Sequence, residues 1–503
     1  MEFFNQIIAL TTALQTSLQN IIVIPSIIPP IANFIFMLCV GFYLMQNLQW
    51  FNYSVWRTFT KHTKYKWHLI YLLLPFLFYF ALGDYFLFYL AIHIILISVW
   101  YYRLDKKLVF TNRVKRFFIT LTIFLSIDFG LDYFFDLPNY SSFIALVVAL
   151  LESKISEAII MRQYRNLAIE KLASMPNLKI IAITASFGKT SMKNFIHALL
   201  CKKYHTYATP RSVNTINGII IDINDHLPED TEIYIVEAGA RQKGDIDKIA
   251  TLLNHHIAVL GEIGEAHLEY FKSIENTKEA KYEILNSQRL ERVYLFKENE
   301  KPKLENDAKI SKFPSEVKNI DSTLKRTKFS LKLGKEFVDF ETNILGKFNI
   351  TNIAVAVAIA QDLGVNLKEI QKSVENLKAV EHRLEKIEIN SKIILDDSFN
   401  GNLAGMEEAI RLSALHKGGK KIIITPGLVE TSVENNTRLA LLIDKTFDIA
   451  IITGELNSEI LARNITNAQK IILKNKMNLN DILASFTQSG DLILFANDAP
   501  NYV

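Results

Sequence analysis

Cysteine is nearly missing from this chain of 503 residues, which has two, Cys39 and Cys201. That count excludes a disulfide framework, and neither cysteine has companions at metal-ligand spacing. No stripe of Lys and Arg interleaved with aromatic residues is present, which sets nucleic-acid binding aside. No Lys or Arg precedes Arg57, so the charged start of a secretory signal is missing. Neither an internal repeat nor a low-complexity linker occurs. The net charge of +4 balances 56 basic against 52 acidic residues, and it averages two unlike parts. The first 160 residues are dense in Phe, Leu, Ile and Tyr, whereas the remainder has the mixed charge of an α/β protein. At ~150 residues per domain the length implies roughly three units.

Apolar runs in the first part cover about 31–45, 67–82, 85–101, 117–135 and 141–160. A hydrocarbon core of ~30 Å needs about 20 helical residues, and these runs lack the polar face of a soluble surface helix. The second and third are divided only by Gly83-Asp84, which predicts a tight helical hairpin. Charges alternate along the connections. Arg57, Lys61, Lys64 and Lys66 follow the first run, Asp84 marks the hairpin, and Arg103, Lys106, Lys107, Arg113, Lys115 and Arg116 come next. Asp128, Asp132 and Asp136 then appear without a base, and Arg162 and Arg165 close the series. The positive-inside rule reads this as five spans with the N-terminus outside and everything after about residue 161 in the cytoplasm. On the last run, Lys154 and Glu157 are three apart and can pair on one helix face. That group reads either as an interfacial cluster or as a polar site between helices.

The run Thr184-Ala185-Ser186-Phe187-Gly188-Lys189-Thr190-Ser191 follows an apolar stretch, 178–183, and opens an amphipathic one, 192–200. Strand, small-residue turn and helix start form the context in which Gly-Lys-Thr holds phosphate. The helix N-terminus points N–H groups and a positive dipole end at the anion. The first glycine of G-x-x-x-x-G-K-[ST] is absent, with Thr184 and Ala185 near its place. From here strands and helices alternate, as in a parallel sheet covered by helices. Strands are predicted at 180–184, 233–237, 257–260 and 292–296, then at 393–396, 421–425, 448–452 and 492–495. Helices are predicted at 193–200, 245–253, 277–286, 350–363, 404–414 and 480–486. Residues 297–340 read as a solvated extension. The expected fold is an α-helical transmembrane bundle of about five helices (1–166), a P-loop-type central ATPase domain (167–343) and a Rossmann-like C-terminal domain (344–503).

Further signals fall in order along the chain: Asn214-Thr215, Glu237-Ala238-Gly239-Ala240, Gly244-Asp245-Ile246, Gly264-Glu265-Ala266-His267, Ala280-Lys281-Tyr282-Glu283, Gly346-Lys347-Phe348-Asn349-Ile350-Thr351-Asn352, Glu381-His382-Arg383 and Asp396-Asp397-Ser398-Phe399-Asn400. In this order and spacing, over about residues 178–495, they resemble the Mur ligase family of ATP-dependent amide-forming enzymes. The Asp-Asp-Ser-aromatic-Asn and Glu-x-Gly-Ala elements resemble those of the member that adds D-alanyl-D-alanine to UDP-muramoyl tripeptide. The resemblance implies ATP and Mg²⁺ as cofactors, an acyl-phosphate intermediate and a role in bacterial peptidoglycan precursor synthesis; the apolar runs and their flanking charges add a place in the cytoplasmic membrane. Membrane lipid and later membrane-bound cell-wall enzymes are further expected partners.

By that resemblance Lys189 and Thr190, with Ser186, Gly188 and Ser191, hold the ATP phosphates. Thr190, Glu237, His267 and a carbamylated Lys281 surround the metal, with Lys189, Lys281 and His267 as the catalytic group. Asn349 and Asn352 contact adenine, Arg383 the nucleotide, and Asp396 or Asp397 the ribose. Asn214, Thr215 and Asn400 face substrate. The chain also departs from the family. The domain that grips the UDP-sugar has no visible counterpart, Phe348 stands where His is common, Gly261-Glu262 replaces Thr-Asn, and Ala496-Asn497-Asp498 replaces a Lys-Gly-Ser-Arg element. Two other readings stay open at this point: a related ligase extending another acidic polymer such as poly-γ-glutamate, and a non-catalytic nucleotide-binding membrane scaffold.

Overall fold

The computed structural model describes residues 11–13, 15–18, 23–60, 62, 64–104, 106–135, 141–211, 213–264, 271–303, 307–399, 401–428, 431–473 and 479–497. Its contacts separate a first unit ending at Gln163 from a second beginning at Tyr164. The first is helical, with long helices Ile28–Trp50, Phe86–Tyr102, Asn112–Phe135 and the start of Ser141–Ala173. Between Lys66 and Leu82 the helix contains a π-helical stretch, Leu69–Leu73, just before Pro75. Proline has no N–H to give the helical ladder, so the preceding turn relaxes. The predicted hairpin forms: Gly83 has φ +53°, and Phe78 and Tyr89 stack across the turn at 4.3 Å. Phe36, Tyr43, Phe86, Trp100 and Phe117 fill the core of this unit. Inside it, Tyr43 Oη is hydrogen-bonded to His68 Nδ1 at 2.7 Å and His62 Nε2 to Asn47 Oδ1 at 3.0 Å. Glu157 pairs with Arg116 of the neighbouring helix at 2.9 Å rather than with Lys154. Among the described residues, two helical segments, Ile28–Trp50 and Lys66–Tyr102, are long and apolar enough to cross a membrane.

The second unit begins with a parallel sheet. β1 (Lys179–Thr184), β2 (Thr206–Ala208), β3 (Ile233–Glu237), β4 (Ile257–Leu260), β5 (Arg292–Phe296) and β6 (Lys309–Phe313) lie in the order β2-β3-β1-β4-β5-β6. The central strands are unbroken apolar runs because both their faces are covered. The register sets Ile183 beside Glu237 and Thr184 beside Leu260. The loops leaving β1, β3 and β4 therefore gather at one end, where α/β sheets bind ligands.

Residues 297–340 are part of the packed fold, contrary to the solvated extension the charge pattern suggests. β6 extends the sheet, and β7 (Val317–Ser322), β8 (Thr327–Leu333) and β9 (Glu336–Thr342) form a separate antiparallel sheet. Strand alternation sends Phe329, Leu331 and Phe340 into the main core and leaves Lys328 and Glu341 to pair outside it at 3.2 Å.

A second sheet holds β10 (Glu385–Ile389), β11 (Lys392–Asp397), β12 (Lys421–Thr425), β13 (Ile449–Thr453), β14 (Gln469–Leu473) and β15 (Leu492–Ala496). Its order is β10-β11-β15-β12-β13-β14, parallel except for β10. The sequence reading starts the second α/β domain at residue 344, but packing assigns the next stretch to the first core. Ile350, Ile353, Val357, Ile370 and Leu377 share one cluster with Phe195 and Leu199 of helix Lys189–Leu200. Tyr204 Oη donates to Leu363 O at 2.6 Å, and Arg292 and Tyr294 bind Asp362. These contacts hold the helix Phe348–Asp362 against the first sheet.

Candidate active site

The loop after β1 is shaped by what holds it from behind. Ser186 N–H donates to Glu262 O at 2.8 Å, and Ser186 Oγ donates to Gly264 O at 3.0 Å. Thr184 Oγ1 donates to Ala238 O at 2.9 Å. Gly188 then caps helix Lys189–Leu200 with φ +77°, a left-handed conformation that costs other residues roughly 1–2 kcal/mol. Space also requires glycine there, because a Cβ would sit 2.6 Å from Asn352 Oδ1. The first-turn N–H groups that follow have no acceptor within the helix. Lys189 Nζ folds back onto the loop carbonyls of Ala185, at 2.8 Å, and Ser186, at 3.3 Å.

Glu237, at the end of β3, is the hub. It is 1% exposed. Its Oε2 accepts from Thr190 Oγ1 at 2.9 Å, and its Oε1 accepts from Asn214 Nδ2 at 3.0 Å. Lys193 Nζ lies 3.9 Å from Oε2. Gly239, two residues on, admits Asn214 closely: a Cβ there would meet Asn214 Cγ at 2.9 Å. Thr215, expected to face substrate, caps the helix Ile216–Asp225, with Oγ1 accepting from Gly218 N–H at 3.3 Å.

Three basic side chains of the site feel this one carboxylate, Lys189, Lys281 and Arg383, as does Lys193, whose Nζ is taken up by backbone carbonyls. Burial pushes the Lys281 ammonium well below its ordinary value, and the nearby Lys189 pushes it further, against the pull of Glu237. Burial likewise lowers Lys189, with Glu237 opposing and Arg383 adding to the shift. A site so rich in positive charge suits a polyanion. Paired hydroxyl and carboxylate oxygens at Thr190 and Glu237 are hard donors of the kind Mg²⁺ takes, so this donor set fits that ion. Among the described residues, no group of three or more His, Cys, Asp and Glu is arranged as a metal site. His267 and Asn400 lie outside the described residues.

The nucleotide-side residues divide. Asn349 and Asn352 are buried on the first turn of helix Phe348–Asp362. Asn349 Nδ2 donates to Leu345 O at 2.8 Å, and Asn352 Nδ2 to Asn349 Oδ1 at 3.0 Å. Asn352 thus reaches the phosphate loop at Gly188, while Asn349 is engaged with its own helix start. Arg383 donates to Phe399 O, and burial lowers it against the opposing pull of Asp397 and Glu237. Asp396 accepts from the Ser398 side chain and is hydrogen-bonded to His382 Nδ1 at 2.8 Å. Asp397 is buried. Sequence reasoning missed Lys193, which sits four residues after Lys189 on an amphipathic helix and reads there as a surface charge. It also missed His382 as the partner of Asp396, although the Glu-His-Arg element contains it.

Comparison with known proteins points to one family. A model of the Mur ligase middle domain matches residues 183–360. UDP-N-acetylmuramoyl-tripeptide–D-alanyl-D-alanine ligase of Bacillus subtilis is 29% identical over 334 residues, covering 63% of this chain and 72% of that protein. The Escherichia coli enzyme of the same name is 27% identical over 270 residues, covering 51% and 59%. Among solved structures, the MurF ligase of Thermotoga maritima in complex with ADP has a TM-score of 0.58 at 23% identity, over 68% of this chain and 81% of that one. MurF of Acinetobacter baumannii has a TM-score of 0.58 at 21% identity, over 67% and 78%. The structural likenesses show the shared multi-domain α/β fold. With the match running from the phosphate-loop strand to the helix that carries Asn349 and Asn352, this part of the chain is a Mur ligase middle domain, and the chain is MurF-like.

Proposed function

We infer that the protein is an ATP-dependent ligase that joins D-alanyl-D-alanine to UDP-N-acetylmuramoyl tripeptide in peptidoglycan synthesis. The names of the relatives support that reaction, and ADP in the Thermotoga structure supports the nucleotide. The observation that carries the reading is the Glu237 hub, one buried carboxylate tied to the phosphate-loop Thr190 and felt by the basic side chains of Lys189, Lys281 and Arg383. Amide formation from ATP brings two anions together, since a carboxylate oxygen of the tripeptide must attack the γ-phosphorus. ADP leaves, and the acyl phosphate is attacked at carbon by the amine of D-alanyl-D-alanine, releasing phosphate. Lys189 and Arg383 offset the charge that builds during phosphoryl transfer, and their burial strengthens that effect. Mg²⁺, held by Thr190 and Glu237, supplies further charge neutralisation when bound.

Lys281 is the proposed site of carbamylation. The side chain is buried and burial pushes its ammonium well below the ordinary value; a neutral amine adds CO₂, losing a proton and becoming an anionic oxygen ligand. Asn349 and Asn352 are proposed for adenine, Asp396 or Asp397 for ribose, and Asn214, Thr215 and Asn400 for substrate, with His267 beside the metal. We place the first unit in the cytoplasmic membrane as a multi-pass anchor with the catalytic part on the cytoplasmic side. Support comes from its outward side chains: Leu73, Leu77, Phe80, Ile92, Ile95, Ile119, Ile123, Ile144 and Ile155 are all more than half exposed. So many exposed large apolar side chains on one helical unit are expected against lipid and not against water. The test is ADP release by the purified full chain with ATP, Mg²⁺, UDP-muramoyl tripeptide and D-Ala-D-Ala. Release that requires both peptide substrates supports the reading, whereas turnover only with glutamate as the amine, or ATP binding without turnover, overturns it.

A further inference from the structure

Lys193 is 1% exposed, among the most buried side chains of the molecule. A lysine at that depth needs fixed acceptors to offset its lost hydration. Its Nζ donates to Thr209 O at 2.5 Å and to Arg211 O at 2.6 Å, and it stands 3.9 Å from Glu237 Oε2. The two carbonyls belong to a turn whose residue Arg211 has φ +41°, a conformation that non-glycine residues keep only when their surroundings impose it. The same turn reaches Glu237 by two other routes. Thr209 Oγ1 accepts from Glu237 N–H at 3.3 Å, and Asn214, three residues past Arg211, donates to Glu237 Oε1. The links close a ring: the phosphate-loop helix carries Lys193, Lys193 holds the turn, the turn presents Thr209 and Asn214, and both orient Glu237 beside Thr190 of that helix.

We propose that Lys193 is the positioning residue that fixes the Thr209–Asn214 turn and thereby sets Glu237 relative to Thr190 for the metal. The inference rests on reading Glu237 and Thr190 as metal ligands. Lys193 acts through the turn and touches neither substrate nor nucleotide. Two effects of opposite sign make this testable. If the lysine acts mainly as a charge beside Glu237, removing it tightens cation binding. If it acts by position, removing it loosens the cation, by about 10–100-fold for a group that orients a metal ligand.

The measurement is Mn²⁺ binding to the full chain in detergent with ADP present, followed by electron paramagnetic resonance, beside ADP binding in EDTA. Lys193→Met is expected to raise the Mn²⁺ midpoint at least tenfold and to leave metal-free ADP binding within about twofold of the parent. Lys193→Gln, whose amide keeps two N–H donors on a shorter stem without the charge, serves where Lys193→Met does not fold. Asn214→Ala, at the far end of the linkage, is expected to raise the midpoint as well, and the double variant to show less than the product of the two effects. An unchanged or lower midpoint in the Lys193 variants overturns the proposal, as does a fully multiplicative double variant or an unchanged midpoint in Asn214→Ala. A parent protein that binds ADP but no Mn²⁺ overturns the metal-site reading itself and is distinguishable from all of these.

Discussion

Replacing Gly188 by alanine puts two separable demands on the phosphate loop. The first is local, since φ +77° costs an L-residue roughly 1–2 kcal/mol. The second is steric, since the new Cβ would lie 2.6 Å from Asn352 Oδ1 and 3.2 Å from its Cγ. Asn352 must then move, which breaks its 3.0 Å hydrogen bond to Asn349 Oδ1, worth about 1 kcal/mol. The expected destabilisation of Gly188→Ala is therefore about 2–3 kcal/mol. In an Asn352→Ala background the steric part disappears, and the same substitution should cost only the backbone part, about 1–2 kcal/mol. Thermal or denaturant unfolding of the parent, both single variants and the double variant, followed by a probe in the α/β unit, measures the coupling. Equal costs in the two backgrounds would show that Gly188 and Asn352 do not meet. A Gly188→Ala variant as stable as the parent would refute the left-handed turn.

Lys189→Ala should lower turnover by about 10²–10³ while leaving the melting temperature near that of the parent, because a transition-state charge is lost and little packing with it; parent-like rates would make the loop structural. Lys281→Ala should be nearly inactive and partly restored by a small added carboxylic acid, while intact-protein mass measurement of the parent should show one added CO₂. Plain lysine at that position, together with activity independent of bicarbonate, would remove the carbamate. Asp444 supplies the pH prediction. Burial alone would raise its carboxyl, but the N–H groups of Ala468, Asn467 and Thr466 outweigh that and hold it at about 2. Its unfolded value is about 3.9, so its stabilisation is present above about pH 4 and lost as the pH falls towards 2. Asp444→Asn should therefore lower the unfolding midpoint at pH 5 more than at pH 2.5.

The central parallel strands were legible because strands covered on both faces read as unbroken apolar runs, and 233–237, 257–260, 292–296 and 421–425 have the predicted bounds. β7–β9 were not, because Lys and Glu on their outward positions mask an alternation whose inward members are Phe329, Leu331 and Phe340. Helix Phe348–Asp362 was found by its periodicity but joined to the wrong core. Burial on nearly every side gives it no apolar stripe to show a direction, and its partner helix lies far away in sequence. At the site, Gly188 and Lys189 were signalled by their motif. Lys193 was invisible because its acceptors are backbone carbonyls 16 and 18 residues away, which no side-chain pattern records.

The most direct test of the ligase reaction is to supply UDP-muramoyl tripeptide labelled with ¹⁸O in its terminal carboxylate, with ATP, Mg²⁺ and D-Ala-D-Ala, and to weigh both products. The account predicts UDP-muramoyl pentapeptide and inorganic phosphate carrying one labelled oxygen, because the attacking carboxylate oxygen leaves with the phosphorus. Unlabelled phosphate, or ATP consumed without pentapeptide, would contradict it.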